Sequence, residues 1–174
     1  MVIIEGCDNC GKTKLIEYLV SGIIVPVIRS PGPKEPGYLA AWVLIMIHLQ
    51  ALGPIIFDRF PVISESIYGP VLRGRDVLKD YGETTFKSLL KSTAPLIIHC
   101  RPPLSKILDW GHREQMDGVK EHITTLVDKY DYEMEMLRRE GFAIVTYDFM
   151  SESLTKQEIK GMIEQYFLRR GFRV

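Results

Sequence analysis

Eight consecutive residues near the N-terminus constrain this chain more than any others. Gly6-Cys7-Asp8-Asn9-Cys10-Gly11-Lys12-Thr13 fits the pattern G-x-x-x-x-G-K-[ST] in full. The short β-branched run Val2 to Ile4 precedes it, and a helical pattern from Gly11 to about Val20 follows it. Each residue type has a physical task in such a turn. Gly6 and Gly11 permit backbone angles that aim successive N–H groups at one anion, at the positive end of the following helix. Lys12 places a point charge on the β- and γ-phosphates of a nucleotide, and the Thr13 hydroxyl can bind Mg²⁺. The span Gly6 to Thr13, extended to Lys14, is the expected cradle for ATP. Cys7 and Cys10 form a C-x-x-C, which alone suits a redox pair or half of a zinc site. No second ligand pair exists in the sequence, so both read as small loop residues.

The rest of the chain alternates strand and helix patterns. Further strands are expected at Ile23 to Ile28, Ile55 to Phe57, Leu96 to His99 and Phe142 to Tyr147. Helices are expected at about Tyr38 to Leu52, Val62 to Leu72, Thr84 to Lys91, Val119 to Glu140 and Thr155 to Arg169, with a polar loop from Asp109 to Gly118. The apolar runs are continuous rather than alternating, which marks strands covered on both faces. The expected architecture is a three-layer α/β fold: a five-stranded parallel sheet, helices on both faces and a short lid at 109–118, all in one domain over 1–174.

Composition narrows the function classes. Among 174 residues, Lys+Arg and Asp+Glu both total 22, and the balance holds on either side of Asp76, so a globally basic nucleic-acid binder is excluded. A local cationic cleft is still allowed, for example one built from Arg59, Arg73, Arg75 and Arg101. Three cysteines make no disulfide framework, no cationic leader precedes the first strand, and the apolar stretch Leu39 to Leu52 is too short to cross a bilayer. A soluble, cytoplasmic protein is expected. The apolar helix is equally a buried core element or a homodimer face.

Asp58-Arg59 stands at the end of the third strand, at the sheet edge where open α/β folds bind ligands. Asp58 could hold Mg²⁺ or act as base toward a hydroxyl, and Arg59 could brace phosphate oxygens. A structural Asp–Arg pair capping the next helix is the plain alternative.

These residues together resemble the thymidylate kinase family of P-loop nucleotide kinases. The likeness lies in Gly6-Cys7-Asp8, in Arg29-Ser30-Pro31-Gly32 after the second strand, in Asp58-Arg59-Phe60, in the helix Ser64 to Tyr68-Gly69, and in His112-Arg113-Glu114 at the lid, with Tyr130 behind it. The resemblance implies an ATP- and Mg²⁺-dependent phosphotransferase acting on a thymidylate-like pyrimidine deoxynucleotide. Arg29, Asp8, Tyr68 and Arg73 would meet the acceptor, Arg113 would close over the ATP phosphates beside Lys12, Asp58 and Arg59, and Asp148-Phe149-Met150 would face adenine. The chain departs from the family at Asn9, Ser30 and Thr13-Lys14 and in its trimmed lid. Phe60-Pro61 and Ser64 to Pro70 are more similar to small phage-type kinases, some of which phosphorylate 5-hydroxymethyluracil within DNA. Modified DNA is therefore the alternative acceptor. A nucleotide-binding regulator without transferase activity is a third reading, weakened by the missing guanine-specificity signature Asn-Lys-x-Asp.

Overall fold

The structure, a computed structural model, describes residues 1–32, 35–110 and 115–174. Five parallel strands, β1 (Val2–Glu5), β2 (Val27–Arg29), β3 (Ile56–Asp58), β4 (Leu96–Cys100) and β5 (Ala143–Tyr147), form one sheet in the order β2-β3-β1-β4-β5. Seven helices connect and cover them among the described residues: α1 (Lys12–Val20), α2 (Pro36–Leu49), α3 (Pro61–Arg73), α4 (Glu83–Ser92), α5 (Leu104–Asp109), α6 (Val119–Arg139) and α7 (Lys156–Arg169). A single 3-10 turn spans Lys79–Tyr81.

Burial follows strand position as expected for a sheet sandwiched by helices. Central β1 and β4 are buried at every residue, whereas the edge strands β2 and β5 are partly exposed. Helix α1 packs on α7, and α3 packs on α2, α4 and α6. Helix α6 buries Val119, Ile123, Leu126, Val127, Tyr130, Met134 and Leu137, the i, i+4, i+7 stripe of an amphipathic helix facing a core. Thr155 and Glu158 close a capping box at the start of α7.

The second strand and the segment 104–109 depart most from the sequence reading, and α2 ends at Leu49 rather than Leu52. The expected second strand at 23–28 is observed only over Val27–Arg29. Ile24 is 96% exposed and Val25 N–H bonds to Ile23 O, so this apolar run is spent on a turn rather than on ladder pairing. Helix α5 was not expected; Pro103 at its N-cap starts it, and Asp109 closes that helix rather than opening a loop. No helix among the described residues is long and apolar enough to cross a membrane.

The connection leaving β1 runs to one half of the sheet and that leaving β3 runs to the other. The carboxyl ends of β1 and β3 therefore open a crevice at a topological switch point. Parallel register places Ile4 beside Asp58, so Glu5-Gly6 and Asp58-Arg59 emerge side by side.

Candidate active site

The loop between β1 and α1 takes backbone angles that few residue types tolerate. Gly6 has φ +141°, and a Cβ there would lie 2.5 Å from Cys100 O. Gly11 has φ +87°, and a Cβ there would lie 2.8 Å from Phe149 Cδ1. Asn9 is also left-handed, at φ 62°, and its side-chain amide donates to Trp110 O at 3.0 Å. Lys12 is buried under the loop. Its ammonium donates to Gly6 O at 2.8 Å and Cys7 O at 2.6 Å, and lies 3.5 Å from Cys10 Sγ.

A cavity of about 480 Å³ is lined by the loop from Asp8 to Lys14, with Asp58, Arg59 and Trp110. Thr13 is exposed toward it. Lys14 also lines it, and its ammonium pairs with Glu17, another lining residue, at 2.9 Å. The donor set fits Mg²⁺: the Thr13 hydroxyl and the Asp58 carboxylate are hard oxygen ligands on one cavity, and Mg²⁺ completes its shell with water and phosphate oxygens. Among the described residues no cluster of three or more His, Cys, Asp or Glu is arranged to hold a metal by itself.

A second cavity, of about 150 Å³, adjoins the first. It is walled by Arg29, Ser30, Leu39, Ser64, Glu65, Tyr68, Arg73 and Met116, and again by Asp58 and Arg59. The two cavities thus share one wall, made of the residues that leave β3.

Arg59 is held from several sides. It sits at φ 65°, an unfavourable angle for arginine. Its own N–H bonds to Ile4 O at 3.0 Å, and the next N–H, that of Phe60, donates to Glu5 Oε1 at 2.7 Å. Its Nη2 reaches Asp8 Oδ1 at 2.6 Å and the Tyr68 hydroxyl at 2.9 Å, and its guanidinium lies 4.9 Å from the Tyr68 ring centroid. Its Nε–H is buried with no hydrogen-bond partner among the described residues. A buried, cationic, unsatisfied donor between two cavities is what an anionic oxygen would satisfy.

Arg29, Arg73 and Arg101 are also matched by carboxylates. Arg29, with a side chain 73% exposed, stands 3.5 Å from Asp58 across the β2–β3 ladder. Arg73 pairs with the buried Glu65 at 2.5 Å, and Glu65 also accepts from Val77 N–H at 3.4 Å. Arg101 grips Asp131 with Nε and Nη2 at 2.8–3.0 Å. Tyr130 packs edge-on to Tyr68, with ring centroids 6.0 Å apart. Phe149 stacks flat on Trp110 at 5.1 Å and 4°. Arg113 and His112 lie outside the described residues.

Sequence reasoning missed Glu5. It is fully buried, and its carboxylate accepts from Phe60 N–H and from the Tyr130 hydroxyl at 3.1 Å. Burial pushes its pKa up to about 7, against the pull of the Phe60 N–H and the charges of Arg59 and Lys12. The signal was present in the sequence as a lone charge ending an apolar strand directly before Gly6. Trp110 was also missed; it precedes the expected lid motif with no pattern of its own.

No known family profile matches the chain, and no curated protein matches it. Solved structures do match. The YorR protein of Bacillus subtilis, solved with phosphorylated GDP, aligns with TM-score 0.69 at 17% identity over 99% of both chains. A deoxyadenosine kinase of M. mycoides, solved with the products dCMP and dCDP, aligns with TM-score 0.58 at 14% identity over 97% of this chain and 98% of its own. The NadR protein in complex with NR aligns with TM-score 0.56 at 17% identity over 95% of this chain, which spans about half of NadR (51%). The three-layer P-loop kinase fold expected from the sequence is the fold observed.

Proposed function

We propose that this protein is a kinase that moves the γ-phosphate of ATP, with Mg²⁺, to a thymidylate-like pyrimidine deoxynucleotide. The observation that carries the reading is the shared wall: the phosphate-loop cavity and the smaller arginine-lined cavity meet at Asp58 and Arg59. A donor in one and an acceptor in the other would present their reacting oxygens to the same two side chains. The likeness to a deoxyadenosine kinase supports a deoxynucleoside-type acceptor.

In this reading the loop N–H groups and Lys12 hold the donor phosphates, and Lys12 must exchange the Gly6 and Cys7 carbonyls for them. Thr13 and Asp58 would hold Mg²⁺, which supplies charge neutralisation at the phosphates. Arg59, preset by Asp8 and Tyr68, would offer its free Nε–H to the transferring group at no cost in reorganisation. Arg29 and Arg73 would meet the acceptor's phosphate and base, and Arg113 would close over the donor from the lid. Catalysis is then positioning and electrostatics.

One observation favours a second reading, a hydroxyl acceptor such as the hydroxymethyl group of a modified base in DNA. Asp58 has a carboxylate on the shared wall, where a base toward a hydroxyl must stand. The commitment of Arg59, Arg73 and Arg101 to carboxylates leaves fewer cations for a DNA backbone and places this reading second. The exposed face of α2, with Tyr38, Leu44 and Ile45, is the proposed homodimer face. Incubation with labelled ATP and a panel of deoxynucleosides, their monophosphates and hydroxymethylated duplex DNA distinguishes the acceptors. Label on pyrimidine monophosphates is expected; label on DNA alone transfers the assignment to the second reading.

A further inference from the structure

Glu5 ends β1 with no exposed surface. Each of its side-chain oxygens takes one hydrogen bond, Oε1 from Phe60 N–H at 2.7 Å and Oε2 from the Tyr130 hydroxyl at 3.1 Å. It lines neither cavity and takes no part in holding donor, acceptor or Mg²⁺. Burying a carboxylate costs the fold stability, which hydrogen bonds offset only in part. What the two bonds hold is Arg59.

The first bond holds its main chain. Parallel register sets Ile4 beside Asp58, so the next residues, Glu5 and Arg59, leave the sheet together. Arg59 turns left-handed there, at φ 65°, an angle that a β-carbon disfavours. Its own N–H is held by Ile4 O at 3.0 Å, a main-chain bond open to any residue type. The N–H on its far side, that of Phe60, is held by a side chain, that of Glu5. The second bond holds the guanidinium at one remove. Tyr130, anchored on Oε2, packs edge-on to Tyr68 and stacks on His99, each at 6.0 Å between centroids. Tyr68 in turn accepts from Arg59 Nη2 at 2.9 Å, and its ring centroid lies 4.9 Å from the guanidinium. Strained backbone persists only where neighbours over-determine it, and such positions cluster at ligand sites.

We propose that Glu5 is a positioning residue for phosphotransfer: its carboxylate locks Arg59 in the left-handed angle that puts the guanidinium on the wall shared by both cavities. Without Oε1 the buried Phe60 N–H loses its partner, and the peptide between Arg59 and Phe60 is released to seek another acceptor. Relaxation of Arg59 to a negative φ then carries its Cβ, and with it the guanidinium, away from Asp8 and Tyr68. Lys12 bonds to the Gly6 and Cys7 carbonyls rather than to Glu5, so the hold on the donor phosphates is a separate matter. The effect on rate rests on the kinase reading; the hold of Glu5 on Arg59 does not.

The test uses the full-length chain labelled with ¹⁵N-arginine, with the Arg59 Nε–H signal assigned by its loss in Arg59→Lys. That signal is expected to exchange slowly with solvent in the parent chain, because the atom is buried. The Nε–H of Arg101, held by Asp131 at 2.8 Å, is the reference for an intact fold. In Glu5→Ala the Arg59 signal is expected to exchange roughly tenfold faster or more, with Arg101 unchanged. Glu5→Gln, whose amide oxygen can still accept from Phe60 N–H, is expected to restore slow exchange. Should Glu5→Ala not fold, Glu5→Asp takes its place: the charge stays, the carboxylate falls one methylene short of Phe60 N–H, and the same acceleration is expected. In transfer assays kcat is expected to fall roughly tenfold or more, with KM for ATP within about threefold, and the loss is expected to vanish in an Arg59→Lys background. The proposal is overturned if Arg59 exchange is unchanged in the folded variant, if Arg101 accelerates with it, if Glu5→Gln behaves as Glu5→Ala, or if the loss in kcat is as large without Arg59. A parent chain that transfers no phosphate sinks the kinase reading alone, and the arginine exchange still decides whether Glu5 holds Arg59.

Discussion

Arg59 Nη2 lies 2.6 Å from Asp8 Oδ1, so one ion pair joins the β1–α1 loop to the end of β3. Both side chains are about one-fifth exposed, and the Tyr68 hydroxyl bridges them by accepting from Arg59 and donating to Asp8 Oδ2 at 3.4 Å. The pair links the two strands whose ends form the crevice and fixes the cation on the wall between the cavities.

Arg59→Lys is expected to lower phosphotransfer roughly 10²- to 10³-fold, because a lysine keeps the charge but loses the planar fork and the Nε–H. Asp8→Asn is expected to cost about 1–2 kcal/mol of stability, less than a fully buried pair because water reaches both groups. A double-mutant cycle in urea checks this; additive effects would mean that the pair is not coupled.

Glu5 and His99 give stability opposite pH dependences. The folded-state pKa of Glu5 is raised to about 7 from an unfolded 4.5, so its contribution is fully present below pH 4.5 and is lost as pH rises through 7. The shift corresponds to about 3 kcal/mol. His99 is lowered to about 4 from 6.5, so its contribution is present above pH 6.5 and is lost as pH falls through 4. Urea midpoints between pH 4.5 and 7.5 should fall less steeply with rising pH in Glu5→Gln than in the parent chain. Parallel pH profiles for the two chains would refute the assignment.

Gly11 combines a left-handed backbone with the ring of Phe149 against its Cα. Gly11→Ala should lose about 1–2 kcal/mol from the backbone angle alone, plus the clash with the ring. Adding Phe149→Ala should relieve only the clash. Calorimetric melting of the single and double variants separates the two; full recovery in the double variant would show that the angle is unimportant.

Trp110 lines the larger cavity and stacks on Phe149, while Trp42 packs against Phe57 and Phe60 in the core. In Trp42→Phe, the emission of Trp110 should change saturably as ATP is added. Calorimetric binding of ATP with unchanged emission would place the nucleotide elsewhere.

The tight turn between β1 and α1 and the parallel α/β class were legible because both leave strict local signatures: glycines where φ is positive, and continuous apolar runs where a strand is covered twice. The second strand was misplaced because Ile23, Ile24 and Val25 look like a strand by residue type, while edge position leaves Ile24 in water. Helix α5 was hidden because only six residues carry it, too few for a helical period to emerge. Asp58 and Arg59 could be nominated from their place at a strand end. Their partners could not, since Asp8 and Arg59 are far apart in sequence and meet only through the β1–β3 register. Glu5 shows the same limit: a charge inside an apolar run is visible, but the Phe60 and Tyr130 donors that stabilise it come from distant elements.

The central claim is that the phosphate loop and the arginine-lined cavity form one transfer site. Its most direct measurement is transfer of label from γ-³²P-ATP to a deoxynucleoside-type acceptor by the parent chain, Lys12→Ala and Arg59→Lys, with acceptor and donor binding measured separately. The account predicts labelled acceptor from the parent chain, loss of transfer in Lys12→Ala through loss of the donor phosphates, and slow transfer with intact binding of both substrates in Arg59→Lys. Transfer undiminished in Lys12→Ala, or tight ATP binding with no labelled product from any acceptor, would contradict it.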